Sequence, residues 1–80
     1  MDDQDILRRI NALVEEEDDL RNRAAQSALD PAERARIDKI EKALDQCWDL
    51  LRQRRARREF HADPDAADVR DVETVERYQQ

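Results

Sequence analysis

Eighty residues with no glycine, 45% charged positions and only 4% aromatic ones leave room for one small domain with a thin core. The missing glycine excludes phosphate-cradling loops and argues against a sheet closed by tight turns, so helix is the regular structure this composition supports. No apolar run is long enough to span a bilayer, and the start, Met1-Asp2-Asp3-Gln4-Asp5, is acidic where a secretory signal is basic, so a cytoplasmic protein without membrane contact is expected.

The first predicted element is a helix over about residues 4–27. Ile6, Ile10, Leu13, Leu20 and Ala24 recur by threes, fours or a full heptad, which puts them on one face. Asp2, Asp3 and Asp5 stand where the positive end of the helix dipole favours carboxylates. Glu17 falls on the same apolar face and needs compensation, either by leaning out to Lys42 or by fixing register in an assembly.

Ala28-Leu29-Asp30 reads as a reversal, because Asp30 is a good cap, Pro31 suits a first helical turn and Glu33 can reach back to the cap. The second helix then runs over about 31–60. Its apolar stripe is Ile37, Ile40, Leu44, Cys47 and Leu51, and its last turns carry Arg52, Arg54, Arg55, Arg57 and Arg58. Asp63-Pro64 stops it. Residues 61–80 form an acidic tail whose Val69, Val72, Val75 and Tyr78 recur at threefold spacing. That spacing fits either a short helix over about 71–78 or an extended strip on a hairpin, its own or a partner's.

Folding the chain at Asp30-Pro31 brings the two stripes into one register, with Ile10 opposite Leu51, Leu13 opposite Cys47, Leu20 opposite Ile40 and Ala24 opposite Ile37. The same register sets Trp48 against Ala12, the acidic amino terminus beside the arginines, and Glu15 to Asp19 near Lys39 and Lys42. The expected fold is all-α: an antiparallel two-helix hairpin with a short C-terminal tail, dimerising as a four-helix bundle. Leu7, Val14, Trp48 and Leu50 widen the apolar faces beyond what two helices cover, which makes them the candidate dimer interface.

The chemical candidates are few. The arginines at 52, 54, 55, 57 and 58 are the candidate nucleic-acid contact, opposed by the net charge of −6 and by neighbouring aspartates. Cys47 sits on the seam, where a thiol acts as a small apolar group, and Trp48 beside it reads as a packing anchor. The lone His61 has no second histidine or cysteine nearby to complete a metal set, and no Glu-x-x-His pair occurs. No catalytic, cofactor or metal site is therefore expected. The partners expected are a second copy of the chain or another protein, with nucleic acid as the alternative.

The segments Met1 to Leu7, Leu13-Val14-Glu15-Glu16-Glu17 and, above all, Leu44-Asp45-Gln46-Cys47-Trp48-Asp49-Leu50-Leu51-Arg52-Gln53-Arg54-Arg55 resemble a small actinobacterial family, domain of unknown function 2630. The resemblance covers almost the whole chain. It implies a bacterial cytoplasmic protein and brings no activity, substrate or catalytic residue with it.

Overall fold

Four helical segments follow one another in the computed structural model, which describes the backbone of residues 1–79 and the side chains of residues 1–77. They are α1 (Asp3–Gln26), α2 (Pro31–Glu59), a 3-10 turn (Pro64–Ala66) and α3 (Val72–Gln79). Both long helices start with reciprocal caps. The Asp5 N–H donates to Asp2 at 2.8 Å while Asp5 accepts from the Asp2 N–H, and Asp30 and Glu33 repeat the exchange at 2.8 and 3.1 Å. Each such cap contributes about 1 kcal/mol and fixes where its helix begins.

At the other end of α2 the chain turns without glycine. His61 takes a left-handed φ of 57°, the Ala62 N–H donates to the Arg57 carbonyl at 2.7 Å and the His61 N–H to that of Arg58. This paired closure normally recruits glycine at the position His61 occupies.

The two long helices pack antiparallel around Ile6, Ile10, Leu13 and Leu20 of α1 and Ile40, Cys47 and Leu50 of α2, with Ile37, Ala43, Leu44 and Leu51 half-buried against them. The expected hairpin is therefore present. Interhelical ion pairs follow the register at four levels: Asp3 to Arg54 at 2.5 Å and to Arg58 at 2.8 Å, Glu16 with Arg36, Arg21 with Glu41 at 2.6 Å, and Arg23 with Glu33 at 3.3 Å.

Several details differ from the sequence reading. Arginines, not Lys39 and Lys42, meet the acidic stretch of α1, and Lys42 instead turns along its own helix to Asp38 at 3.1 Å. Glu17 is likewise compensated within α1, by Arg21 at 3.6 Å. Ala24 is exposed, and the Arg23–Glu33 pair spans the helices there in place of an apolar contact. Trp48 does not pack on Ala12. Both are exposed, because Ala12 and Val14 project from different sides of α1 and Trp48 stands on Val14's side.

The tail folds back along α2 of its own hairpin, where the sequence had left open a wrap over a partner. Val75 is 1% exposed, Val72 is half-buried, and Ala67 packs against the main core, while Val69 remains largely exposed. Tyr78, the last residue of the expected apolar strip, lies outside the described side chains.

Candidate functional site

A helix that contributes one stripe to a two-helix seam has a flank on either side of that stripe. Heptad neighbours identify the two flanks here. Arg21 and Glu41 bridge the helices on one, and stepping by sevens from them reaches Val14 and Leu7 on α1 and Trp48 and Arg55 on α2. Glu16 and Arg36 bridge on the other, and the same steps reach Arg9 on α1 and Ala43 and Leu50 on α2. The tail covers the second flank only: Val69 lines a cleft of about 150 Å³ together with Met1, Ile6, Arg9, Ala43 and Leu50.

Polar contacts hold the tail in place. Asp49, 2% exposed, accepts from the Arg70 guanidinium at 2.7 and 2.9 Å and from Gln53 at 2.9 Å. Gln53 also donates to the Asp68 carbonyl at 2.8 Å, and Gln46 to the Arg70 carbonyl at 3.2 Å. One turn further along α2, the buried Arg54 binds Asp3 of α1, Asp65 of the tail at 2.9 Å and the Pro64 carbonyl at 3.2 Å. Among the described residues no buried side-chain nitrogen or oxygen lacks a partner. Hydrogen bonds from Arg54 and then Arg58 hold the Asp3 carboxyl below its ordinary range against the opposing effect of burial. Asp71 starts α3 by accepting from the Thr74 N–H at 2.7 Å, which lowers its own carboxyl.

This clamp was missed in the sequence. Gln46, Asp49 and Gln53 lie at helical spacing beside the apolar stripe, where polar side chains are ordinarily solvated, and Arg70 is a single charge in an acidic tail. One signal was available: extending the stripe from Cys47 by a heptad lands on Arg54, a charge on the seam that has to find partners.

The clamp also divides the four residues expected at a dimer interface. Leu50 is 5% exposed, buried beneath the tail in its own chain, and so is not available to a second copy. Leu7 and Val14 are each 38% exposed and Trp48 46%. These three lie on the bare flank, with the half-buried Leu44 and Leu51 between them and the seam. Trp48 and Leu51 form the floor of an open trough edged by Arg52, Arg55 and Arg58.

The five arginines proposed for nucleic acid are split in the same way. Arg54 faces inward and is spent on Asp3 and Asp65, which corrects its place in that set, and Arg58 is tied to Asp3. Arg55 has only a loose contact with Glu59 at 3.9 Å. Arg52 is exposed and Arg57 half-buried, so of the five only Arg52, Arg55 and the Asp3-bound Arg58 share one surface, the edge of the trough.

Cys47 is buried on the seam as expected, and burial pushes its thiol up, against a smaller opposing effect from Arg9. His61 is exposed at the end of α2. Among the described residues no group of three or more His, Cys, Asp or Glu side chains is placed to hold a metal ion, and no helix is long and apolar enough to cross a membrane.

Comparison with known proteins returns relatives of equally unknown role. The profile of a family described as "Protein of unknown function (DUF2630)" matches residues 2–80. The chain is similar to "Uncharacterized protein Rv0898c" of Mycobacterium tuberculosis and "Uncharacterized protein Mb0922c" of Mycobacterium bovis. Each is 44% identical over 77 residues, covering 95% of this chain and 88% of the relative. No solved structure matches.

Proposed function

The chain belongs to the DUF2630 family of unknown function, and from that starting point we propose that it is a non-enzymatic, homodimeric helical assembly module. The observation that carries this reading is the asymmetry of the hairpin's flanks. The tail covers one with a polar clamp, whereas Leu7, Val14 and Trp48 stay exposed on the other. Fully burying a large apolar side chain contributes about 1.5–3 kcal/mol, so three half-exposed ones on a single flank hold a few kcal/mol that only a partner recovers. A two-fold pair supplies the same patch twice and is the commonest closed symmetry.

Catalysis has less support. The cleft beside Cys47, about 150 Å³, is smaller than the 300–1,000 Å³ usual for ligand sites, and burial disfavours the reactive thiolate. Nucleic-acid binding is disfavoured by the loss of Arg54 and Arg58 to Asp3.

Sedimentation equilibrium at tens of micromolar tests the proposal. The native chain, 9.5 kDa, is expected near twice that mass. Trp48→Ala is expected to shift it towards monomer with unchanged helical circular dichroism, because Trp48 stands outside the hairpin's own core. A native chain that stays monomeric at that concentration would overturn the reading.

A further inference from the structure

One stripe of α2 on the bare flank has an internal symmetry. Glu41, Asp45, Trp48, Arg52 and Arg55 recur at alternating spacings of four and three residues, the pattern of a seam that meets another helix. The two residues before Trp48 are acids and the two after it are bases. Over these five positions, turning the stripe end for end about Trp48 exchanges acid for base; one step further out, Asp38 and Glu59 are both acids and mark the limits of the self-complementary segment.

From this we infer that two copies pair through α2 in antiparallel orientation, with the two-fold axis passing beside Trp48. Asp45 then faces Arg52 of the second copy, and Glu41 faces Arg55, with each contact made twice. The inference rests on the homodimer proposed above and adds its orientation and its contacts.

Three observations favour a second copy as the occupant. The charge pattern is self-complementary only for an antiparallel pair. In a parallel one, Glu41 would meet Glu41 and Arg55 would meet Arg55, and like charges set opposite one another destabilise. Next, Asp45 and Arg52 have no ion-pair partner among the described residues of their own chain, whereas Asp3, Glu16, Arg36 and Arg54 are paired across the seam. Last, Leu7 and Val14 are exposed on the same flank as Trp48, so an axis beside Trp48 sets one apolar patch against its copy.

Single-cysteine variants test the orientation. In a Cys47→Ala background, Glu41→Cys and Arg55→Cys are prepared separately, mixed and oxidised at a concentration where sedimentation shows dimer. The expected product is the mixed disulfide, with no self-disulfide from either variant alone. In the antiparallel pair, position 55 lies about 20 Å from its own copy, at 1.5 Å per residue, far outside disulfide reach. A self-disulfide of Arg55→Cys would mean a parallel pair, and dimer without any of these products would mean that α2 is not the crossing helix. Either result overturns this inference and leaves the dimer standing, whereas a monomer in sedimentation removes the dimer itself. A charge exchange gives a second reading without cysteines: Arg52→Glu is expected to raise the dimer Kd about tenfold at low salt, and adding Asp45→Arg to restore it. Failure of the double variant to recover would overturn the Asp45–Arg52 contact.

Discussion

Replacing Arg70 with alanine should free the tail while the hairpin stays folded. The Asp49 carboxylate accepts three hydrogen bonds, two of them from Arg70, which also balances its charge. Removing one partner of a buried pair costs about 3–5 kcal/mol. The Arg70 side chain is 36% exposed, so water can enter from its side, and the expected loss is nearer 2–3 kcal/mol. What remains to hold the tail is Val75, part of Val72 and Ala67, together about 2–4 kcal/mol of apolar burial before the entropy of ordering the segment is counted. The loss therefore matches the apolar anchor, and the tail detaches. The α1–α2 seam keeps its buried isoleucines and leucines and should survive.

Amide hydrogen exchange reads this directly. Protection should fall over residues 72–79 and persist in α1 and the first half of α2, and alkylation of Cys47 should speed up as the cleft lined by Val69 opens. Replacing both partners by apolar residues, Asp49→Leu with Arg70→Met, should recover much of the protection, since no buried charge is then left unpaired. Unchanged protection over residues 72–79 in Arg70→Ala would refute the reasoning. So would loss of the hairpin and the tail in one cooperative step.

His61→Gly should raise stability to urea by about 1 kcal/mol, because the left-handed φ of 57° burdens a side chain bearing a Cβ and not glycine. Ile40→Ala, at a fully buried seam position, should cost about 2–5 kcal/mol, a large part of the ~4–12 kcal/mol a chain of this size holds, and should show as a much lower urea midpoint. Stability should also depend on acid. Asp3 and Glu16 are held below their ordinary values of 3.8 and 4.5 by Arg54 with Arg58 and by Arg36, so their contribution is complete above those values and is lost as pH falls through the lower folded ones. Asp3→Asn should accordingly lower the urea midpoint at neutral pH and converge with the native chain in strong acid; a difference independent of pH would show that the ion pairs are not its source.

The hairpin was legible because two independent signals agreed: apolar residues at helical spacing and an Asp-Pro-x-Glu reversal whose cap geometry is local. Both depend on residues close together in sequence. Leu50 was placed on the wrong side of the balance because its burial depends on where the tail lies. That in turn depends on Asp49 meeting Arg70, a pairing of two charges that each look solvated when read alone. Trp48 shows the converse. A large aromatic in an apolar neighbourhood invites a core assignment, yet the angle between it and the Ile40–Cys47 line puts it on a flank, where the hairpin has nothing to cover it.

The tail therefore decides how many apolar faces the molecule presents, and this has a consequence for assembly. With the tail docked, one flank is bare, and the proposed two-fold pair would close on itself. With the tail released by Arg70→Ala, Leu50 and Ala43 become a second apolar face on the opposite side of the same slab. A body with two unlike sticky faces no longer closes: a face that is spare in each pair can recruit further copies, and growth continues. Arg70→Ala should thus form species larger than the dimer, in proportion to concentration, on a light-scattering or sedimentation-velocity profile. Adding Trp48→Ala should cut those species back by weakening the first flank, and Asp49→Leu with Arg70→Met should return the native profile by covering the second. If Arg70→Ala loses tail protection and yet sediments as the native chain does, the covered flank is not an assembly surface, and the tail's role ends at shielding Cys47 and the core.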